Sequence, residues 1–118
     1  MKAAAENELG QAQDHAVKLN YDIEAVRRFC RERGIIKLEI FGSALRDDFR
    51  PDSDVDLLCT LRPDSRCTLF GWADMQFKLE EIFGRPVDLV SRRAIERSQN
   101  HYRRQAILST ATPIYVEG

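Results

Sequence analysis

Residues 35–61 read IIKLEIFGSALRDDFRPDSDVDLLCTL and decide the fold. The two ends of this stretch, IIKLEIF and VDLLCTL, are rich in β-forming residues and predict two strands. A Gly-Ser pair and a charged loop lie between them, and an Asp-x-Asp pair opens the second strand. Because side chains two residues apart in a strand point the same way, Asp54 and Asp56 are expected to share one side of the sheet, opposite their apolar neighbours.

The rest of the chain predicts helices that alternate with one further strand. Capping residues frame two of the helices at both ends, Asp22 with Gly34 and Thr68 with Gly84. The apolar stripe of the second helix is expected in the core: Trp72, Met75, Leu79 and Ile82. After Pro86 the run VDLVS predicts a third strand, and residues 94–110 predict a helical segment that breaks near 98–100 and ends before Pro113. This order predicts a mixed α/β (α+β) fold, with a small mixed β-sheet flanked by helices.

Length and composition limit the classes of protein that the chain can be. Its 118 residues suit one domain, which we place at 21–118, preceded by a helical extension or tail at 1–20. A net charge of −1 disfavours direct nucleic-acid binding. Three cysteines without CxxC spacing form neither a zinc pattern nor a disulfide framework, and Cys30 and Cys59 are expected in the core. The sequence has no leader-like or membrane-length apolar run, so a cytoplasmic location without membrane contact is expected.

Three aspartates are the candidate catalytic and metal-binding residues. Asp88 lies on the outward side of the third strand, so it meets Asp54 and Asp56 if the two strands are neighbours. Carboxylates that lie so close together repel one another and destabilise the fold unless a cation lies between them. Ligand sets made only of oxygen suit Mg²⁺ or Mn²⁺ rather than zinc, and Mg²⁺ commonly takes phosphate oxygens as further ligands. The three side chains therefore predict a phosphate-bearing substrate.

The Gly-Ser pair supplies the candidate nucleotide-binding residues. Gly42 lets the backbone approach a phosphate closely, and Ser43, at the start of a helical turn, leaves N–H groups that can bind an anion. Arg46 follows about one turn later, where its guanidinium can face the same anion. Anion-binding donors on one side and metal-binding carboxylates on the other predict a nucleoside triphosphate site.

The whole pattern resembles the nucleotidyltransferases of the DNA polymerase beta superfamily: a strand, Gly-Ser, a loop, Asp-x-Asp and a lone Asp on a later strand. It is most similar to the minimal nucleotidyltransferases, which contain little beyond the catalytic domain. The matching stretches are IIKLEIFGSALR, DSDVDLL, LEEIFGRPVDLVS and, less specifically, YRRQAILSTATPIY, within about 21–115. The resemblance implies the palm-like fold of that superfamily.

The resemblance also implies a reaction and a role for each residue. With two Mg²⁺ ions bound, an acceptor hydroxyl attacks the α-phosphorus of ATP, and pyrophosphate leaves. Asp54 and Asp56 would hold the metal ions, and Asp88 would bind one of them and assist deprotonation of the hydroxyl. The Gly-Ser pair would hold the terminal phosphates, with Arg46 neutralising their charge. The family commonly has a glycine after this arginine, whereas this chain has Asp47, which we expect to point to solvent.

Minimal nucleotidyltransferases are often encoded beside a small helical HEPN-type ribonuclease toxin and act as its antitoxin, some by attaching AMP to a tyrosine of the toxin. The resemblance therefore implies a HEPN-type partner and protein AMPylation. Two alternatives stay open: a non-catalytic antitoxin that neutralises its partner by binding, and a nucleotidyltransferase for a small molecule such as an aminoglycoside. The three aspartates favour an enzyme, since a pure binder has no need of them.

The C-terminal segment is rich in arginine. Five arginines lie close together with a single acid among them: Arg92, Arg93, Arg97, Arg103 and Arg104. They are interpreted either as a solvated helix face or as a docking surface for an acidic partner or for phosphates.

Overall fold

The computed structural model describes residues 20–42 and 54–117. In chain order, the elements in these ranges are α1 (Ile23–Arg33), β1 (Ile35–Phe41), β2 (Val55–Leu61), α2 (Leu69–Phe83), β3 (Val87–Ser91), α3 (Arg92–Glu96), α4 (His101–Thr110) and β4 (Thr112–Val116). The predicted mixed α/β fold is confirmed, and so are the three predicted strands. The expected extension before residue 20 and the helical turn after Gly42 lie outside the described residues.

Helix caps fix the ends of α1 and α2 as the sequence predicts. The carboxylate of Asp22 and the hydroxyl of Thr68 each accept hydrogen bonds from backbone N–H groups in the first turn of their helix. Gly34 and Gly84 are the C-caps, and their N–H groups donate to carbonyl oxygens of the preceding turn. Both helices are therefore held at their full predicted length by local contacts.

The described strands form one sheet in the order β3-β2-β1-β4. β1 is antiparallel to both of its neighbours, β2 and β4, whereas β2 and β3 are parallel and are joined by the crossover helix α2. Because of these directions, the C-terminal end of β1 lies at the same end of the sheet as the N-terminal ends of β2 and β3. Gly42 and the three candidate aspartates, which are the described residues of the predicted site, come from these three places.

The core lies mainly on one side of the sheet, beneath α1 and α2. Its buried residues are Val26, Phe29, Cys30, Ile35, Leu38, Ile40, Val55, Leu57, Cys59, Met75, Leu79, Phe83, Val87 and Leu89. The predicted stripe of α2 is confirmed, since Met75 and Leu79 are buried and Trp72 and Ile82 pack against the core. Cys30 and Cys59 are buried free thiols, as expected.

A smaller apolar cluster lies on the opposite side of the sheet, beneath α3 and α4. It contains Phe41, Leu58, Ile95 and Ile107. Val90, Leu108 and Ala111 pack against this cluster, which attaches the two C-terminal helices to the sheet.

The C-terminal segment differs from its prediction in two ways. The helical segment begins earlier than predicted, at Arg92, whereas its predicted break is confirmed, since residues 97–100 divide it into two helices. The strand β4 was not predicted, because Pro113 was interpreted as the end of a helix. Proline lacks the N–H that a central strand needs but is compatible with an edge strand, which β4 is. Among the described residues, no helix has the length and apolar character needed to cross a membrane.

Candidate active site

The structure places two of the three candidate aspartates directly opposite each other. Asp56 on β2 pairs in register with Asp88 on the parallel neighbour β3, and on its other side with Phe41 at the end of β1. Neighbouring strands lie about 4.8 Å apart, so the backbones of the two aspartates are separated by about that distance. Asp54 lies two residues before Asp56, just ahead of β2, about 6.5–7 Å along the chain.

The side of the sheet on which these carboxylates lie follows from the burial of their neighbours. Val55, Leu57 and Leu89 are buried in the core beneath α1 and α2. Because strand side chains alternate between faces, Asp56 and Asp88 point to the opposite side. Asp88 is exposed and Asp56 is half-buried, so this part of the sheet is open to a ligand.

Gly42 follows β1 and lies against the carboxylate of Asp56. Its φ is +77°, a backbone conformation that residues with a side chain rarely adopt. A Cβ at this position would lie 2.3 Å from Oδ2 of Asp56. Glycine is therefore required by the position of the acid itself, a reason additional to the phosphate approach predicted from the sequence. Ser43 and Arg46, the other two predicted nucleotide-binding residues, lie outside the described residues.

The donor set of the site fits a magnesium ion that shares its coordination with a substrate. In residues 20–42 and 54–117, no group of three His, Cys, Asp or Glu side chains is close enough together to hold a metal ion by itself. Mg²⁺ is usually held by only one or two carboxylates, with phosphate oxygens and water completing its shell. The carboxylate pair of Asp56 and Asp88 matches that chemistry.

The same side of the sheet contains a buried ion pair. Glu39 on β1 is only 3% exposed, and its Oε1 accepts a hydrogen bond of 2.7 Å from Nη1 of Arg92. Arg92 also donates to Glu96 at 3.0 Å. Burial alone would lower the pKa of the Arg92 guanidinium, but its hydrogen bonds and charge interactions with both glutamates outweigh this effect, so the pKa is raised. Arg92, whose side chain is half-buried, thus holds the start of α3 on the sheet.

Two clefts among the described residues lie outside this site. One of about 430 Å³ is lined in part by Lys37, Thr60 and Arg93. The other, of about 520 Å³, includes Arg27 and Arg62 in its lining. Neither lining includes Gly42 or the three aspartates.

Residues 23–112 match the sequence profile of a nucleotidyltransferase domain. The chain belongs to this family and is a nucleotidyltransferase. A solved structure described as a minimal nucleotidyltransferase is 34% identical in sequence, with 77% of this chain and 87% of that chain covered and a TM-score of 0.59. The resemblance to minimal nucleotidyltransferases is thereby confirmed. Among curated proteins, no sequence matches the chain significantly.

Two more distant structures are toxin–antitoxin complexes. One, solved with AMP-PNP, is 14% identical and has a TM-score of 0.61, with 80% of this chain and 73% of that chain covered. The other contains a tri-AMPylated HEPN toxin from Shewanella oneidensis with its MNT antitoxin; it is 17% identical, with a TM-score of 0.54 and coverages of 80% and 69%. At these identities the likeness establishes a shared fold.

Proposed function

We propose that this nucleotidyltransferase transfers AMP from ATP to a tyrosine hydroxyl of a HEPN-type toxin and thereby acts as its antitoxin. The observation that carries the proposal is the register of Asp56 with Asp88, beside Gly42, on the open side of the sheet. The likeness to an antitoxin bound to a tri-AMPylated HEPN toxin supports the choice of acceptor.

Each candidate residue has a defined task in this proposal. Asp54, Asp56 and Asp88 would hold two Mg²⁺ ions, which when bound neutralise the charge of the phosphates during transfer. The carboxylate of Asp88, the more exposed member of the aligned pair, would also accept the proton of the attacking hydroxyl. The backbone at Gly42 and the side chains of Ser43 and Arg46 would hold the terminal phosphates.

The test is Mg²⁺-dependent transfer of label from α-labelled ATP to a co-expressed HEPN-type partner. Asp56→Asn is expected to reduce transfer at least about 100-fold, because a neutral amide cannot replace a metal-binding carboxylate. Asp64→Asn, an exposed acid in the turn after β2, is the matched control and should retain wild-type transfer. Transfer by Asp56→Asn at the wild-type rate would show that the metal assignment is wrong.

Neutralisation by binding alone is separated by a protection assay in cells. A folded variant in which Asp54, Asp56 and Asp88 are all replaced by Asn should fail to protect cells from the toxin if AMPylation is the mechanism. Protection equal to that of the wild type would instead establish occlusion. Label transfer to an aminoglycoside without any protein partner would favour the small-molecule alternative.

A further inference from the structure

The outer edge of β3 is held by three side chains of α2. The N–H of Val87 donates to Oε2 of Glu80 at 3.1 Å, and the N–H of Leu89 donates to Oε1 of Gln76 at 3.2 Å. The indole Nε1–H of Trp72 donates to the carbonyl oxygen of Leu89, also at 3.2 Å. All three bonds are partly buried, so water competes for these groups less than it does at an open strand edge.

The spacing of these side chains matches the spacing of the strand. Trp72, Gln76 and Glu80 are each four residues apart and so lie along one face of α2. Four residues of α-helix rise about 6 Å, and two residues of strand rise about 6.6 Å. A helix antiparallel to the strand can therefore reach every second residue of it. From the sequence, Trp72 was expected only as part of an apolar stripe, because hydrogen bonds to a strand edge leave no periodic apolar signal.

Val87 and Leu89, whose N–H groups donate to side chains of α2, are the residues before and after Asp88 on β3. Backbone groups of successive strand residues point alternately to the two edges of the strand. The carbonyl of Pro86 accepts a bond of 2.9 Å from the N–H of Val55 on β2. The N–H groups of Val87 and Leu89 point the other way, to α2. By the same alternation, the backbone groups of Asp88 point to β2, so the strand is bonded on both edges at this residue.

We infer that Trp72, Gln76 and Glu80 are positioning residues, which hold the carboxylate of Asp88 in register with Asp56 for metal binding. This inference rests on the proposed function, in which Asp88 is a metal ligand. The three side chains act through the backbone of β3, at Val87 and Leu89. Supporting contacts of this kind typically change metal affinity or activity by about 10–100-fold when they are removed.

Shielding of the sheet edge is the competing role for the same contacts. An exposed strand edge invites pairing with another chain, and side chains that occupy its hydrogen-bonding groups prevent that pairing. Shielding alone predicts self-association of the variants without any change in metal affinity. Positioning predicts a change in metal affinity in the monomer.

The test is a titration with Mn²⁺ alone, followed by paramagnetic broadening of the Asp88 amide signal in labelled protein. Gln76→Leu and Glu80→Met, made singly, remove the acceptor oxygens. Gln76→Glu and Glu80→Gln keep an acceptor at the same place and are the conservative rescues. Lys78→Ala, on the exposed side of α2, is the matched control, and circular dichroism checks that each variant is folded.

Gln76→Leu or Glu80→Met is expected to raise the Mn²⁺ concentration for half-maximal broadening by about 10-fold, while the rescues and Lys78→Ala stay within about twofold of wild type. An unchanged Mn²⁺ affinity in a folded Gln76→Leu or Glu80→Met variant would overturn this inference and leave the proposed metal site intact. No broadening at Asp88 in the wild type would reject the proposed metal site and the inference with it. Because the readout needs no turnover, these results are distinct from a failure of label transfer.

Discussion

The two sides of the sheet use the same strands for different purposes. Beneath α1 and α2, the inward residues of β1, β2 and β3 form a continuous apolar core. On the other side, a smaller apolar cluster attaches α3 and α4, and three other positions carry Glu39, Asp56 and Asp88. A carboxylate on a partly buried face of a sheet lowers the stability of the fold unless a partner compensates its charge. One side therefore supplies the apolar core, and the other carries the acids of the proposed site.

The largest expected effect comes from the apolar side. Leu79→Ala removes a fully buried side chain of α2 and should lower the free energy of unfolding by about 2–5 kcal/mol, because of the lost transfer energy and the cavity that remains. Chemical denaturation of the purified protein measures this. Ile107→Ala, in the smaller cluster, is the comparison and should cost less; an equal or greater cost would contradict the division between the two sides.

Alkaline conditions test the same apolar side. Burial raises the pKa of the Cys30 thiol and of the Cys59 thiol to about 12 each. These thiols bind their protons more tightly in the folded state, so their stabilising effect is complete below the ordinary thiol pKa and is lost as the pH rises towards the folded value. Between about pH 8 and about pH 11, the wild type should lose more stability than Cys59→Ala. Cys67→Ala removes an exposed thiol that adds less than burial does to the raised pKa of Cys59, so it should lose nearly as much stability as the wild type.

A smaller effect is expected from the ion pair on the open side. Glu39→Gln removes the charge that Arg92 contacts while keeping a hydrogen-bond acceptor. Stability should fall by about 1–2 kcal/mol, because the partly exposed Arg92 keeps its bond to Glu96. Thermal denaturation measures the loss, with Glu81→Gln on an exposed face of α2 as the control. A loss above that of Leu79→Ala would mean that this side contributes more to folding than its apolar area indicates.

The smallest effect is expected at Thr60, which lines the same cleft as Arg92. In the part of the chain that the structure describes, its buried Oγ1 has no hydrogen-bond partner. Thr60→Val removes that unsatisfied oxygen and keeps the branched shape, so stability should stay the same or rise by up to about 1 kcal/mol. A clear loss in denaturant titration would show that the hydroxyl is satisfied in solution.

Local signals made most of this fold predictable from the sequence. Asp22 and Thr68 act on the helix turn that follows them, and the alternation around Asp56 is a property of one strand. Contacts between distant segments were not predictable in this way. Glu39 and Arg92 are 53 residues apart, and β4 is a strand only because β1 offers an edge to pair with. For the site, the spacing of the aspartates in the sequence indicated which of them lie on the same side of the sheet. That Asp56 and Asp88 are in register became known only from the parallel pairing of β2 with β3.

The contact between Gly42 and Asp56 couples the two positions during divergence of the sequence. A side chain at position 42 and a carboxylate at position 56 compete for the same space, so neither position can change freely while the other keeps its present residue. A relative that has lost the need for the acid can shorten position 56, but a side chain at position 42 stays strained while its φ is +77°. A relative that retains the acid in this place must retain the glycine. A side chain at position 42 of a homologue therefore indicates that the local backbone and the acid of the neighbouring strand have both changed.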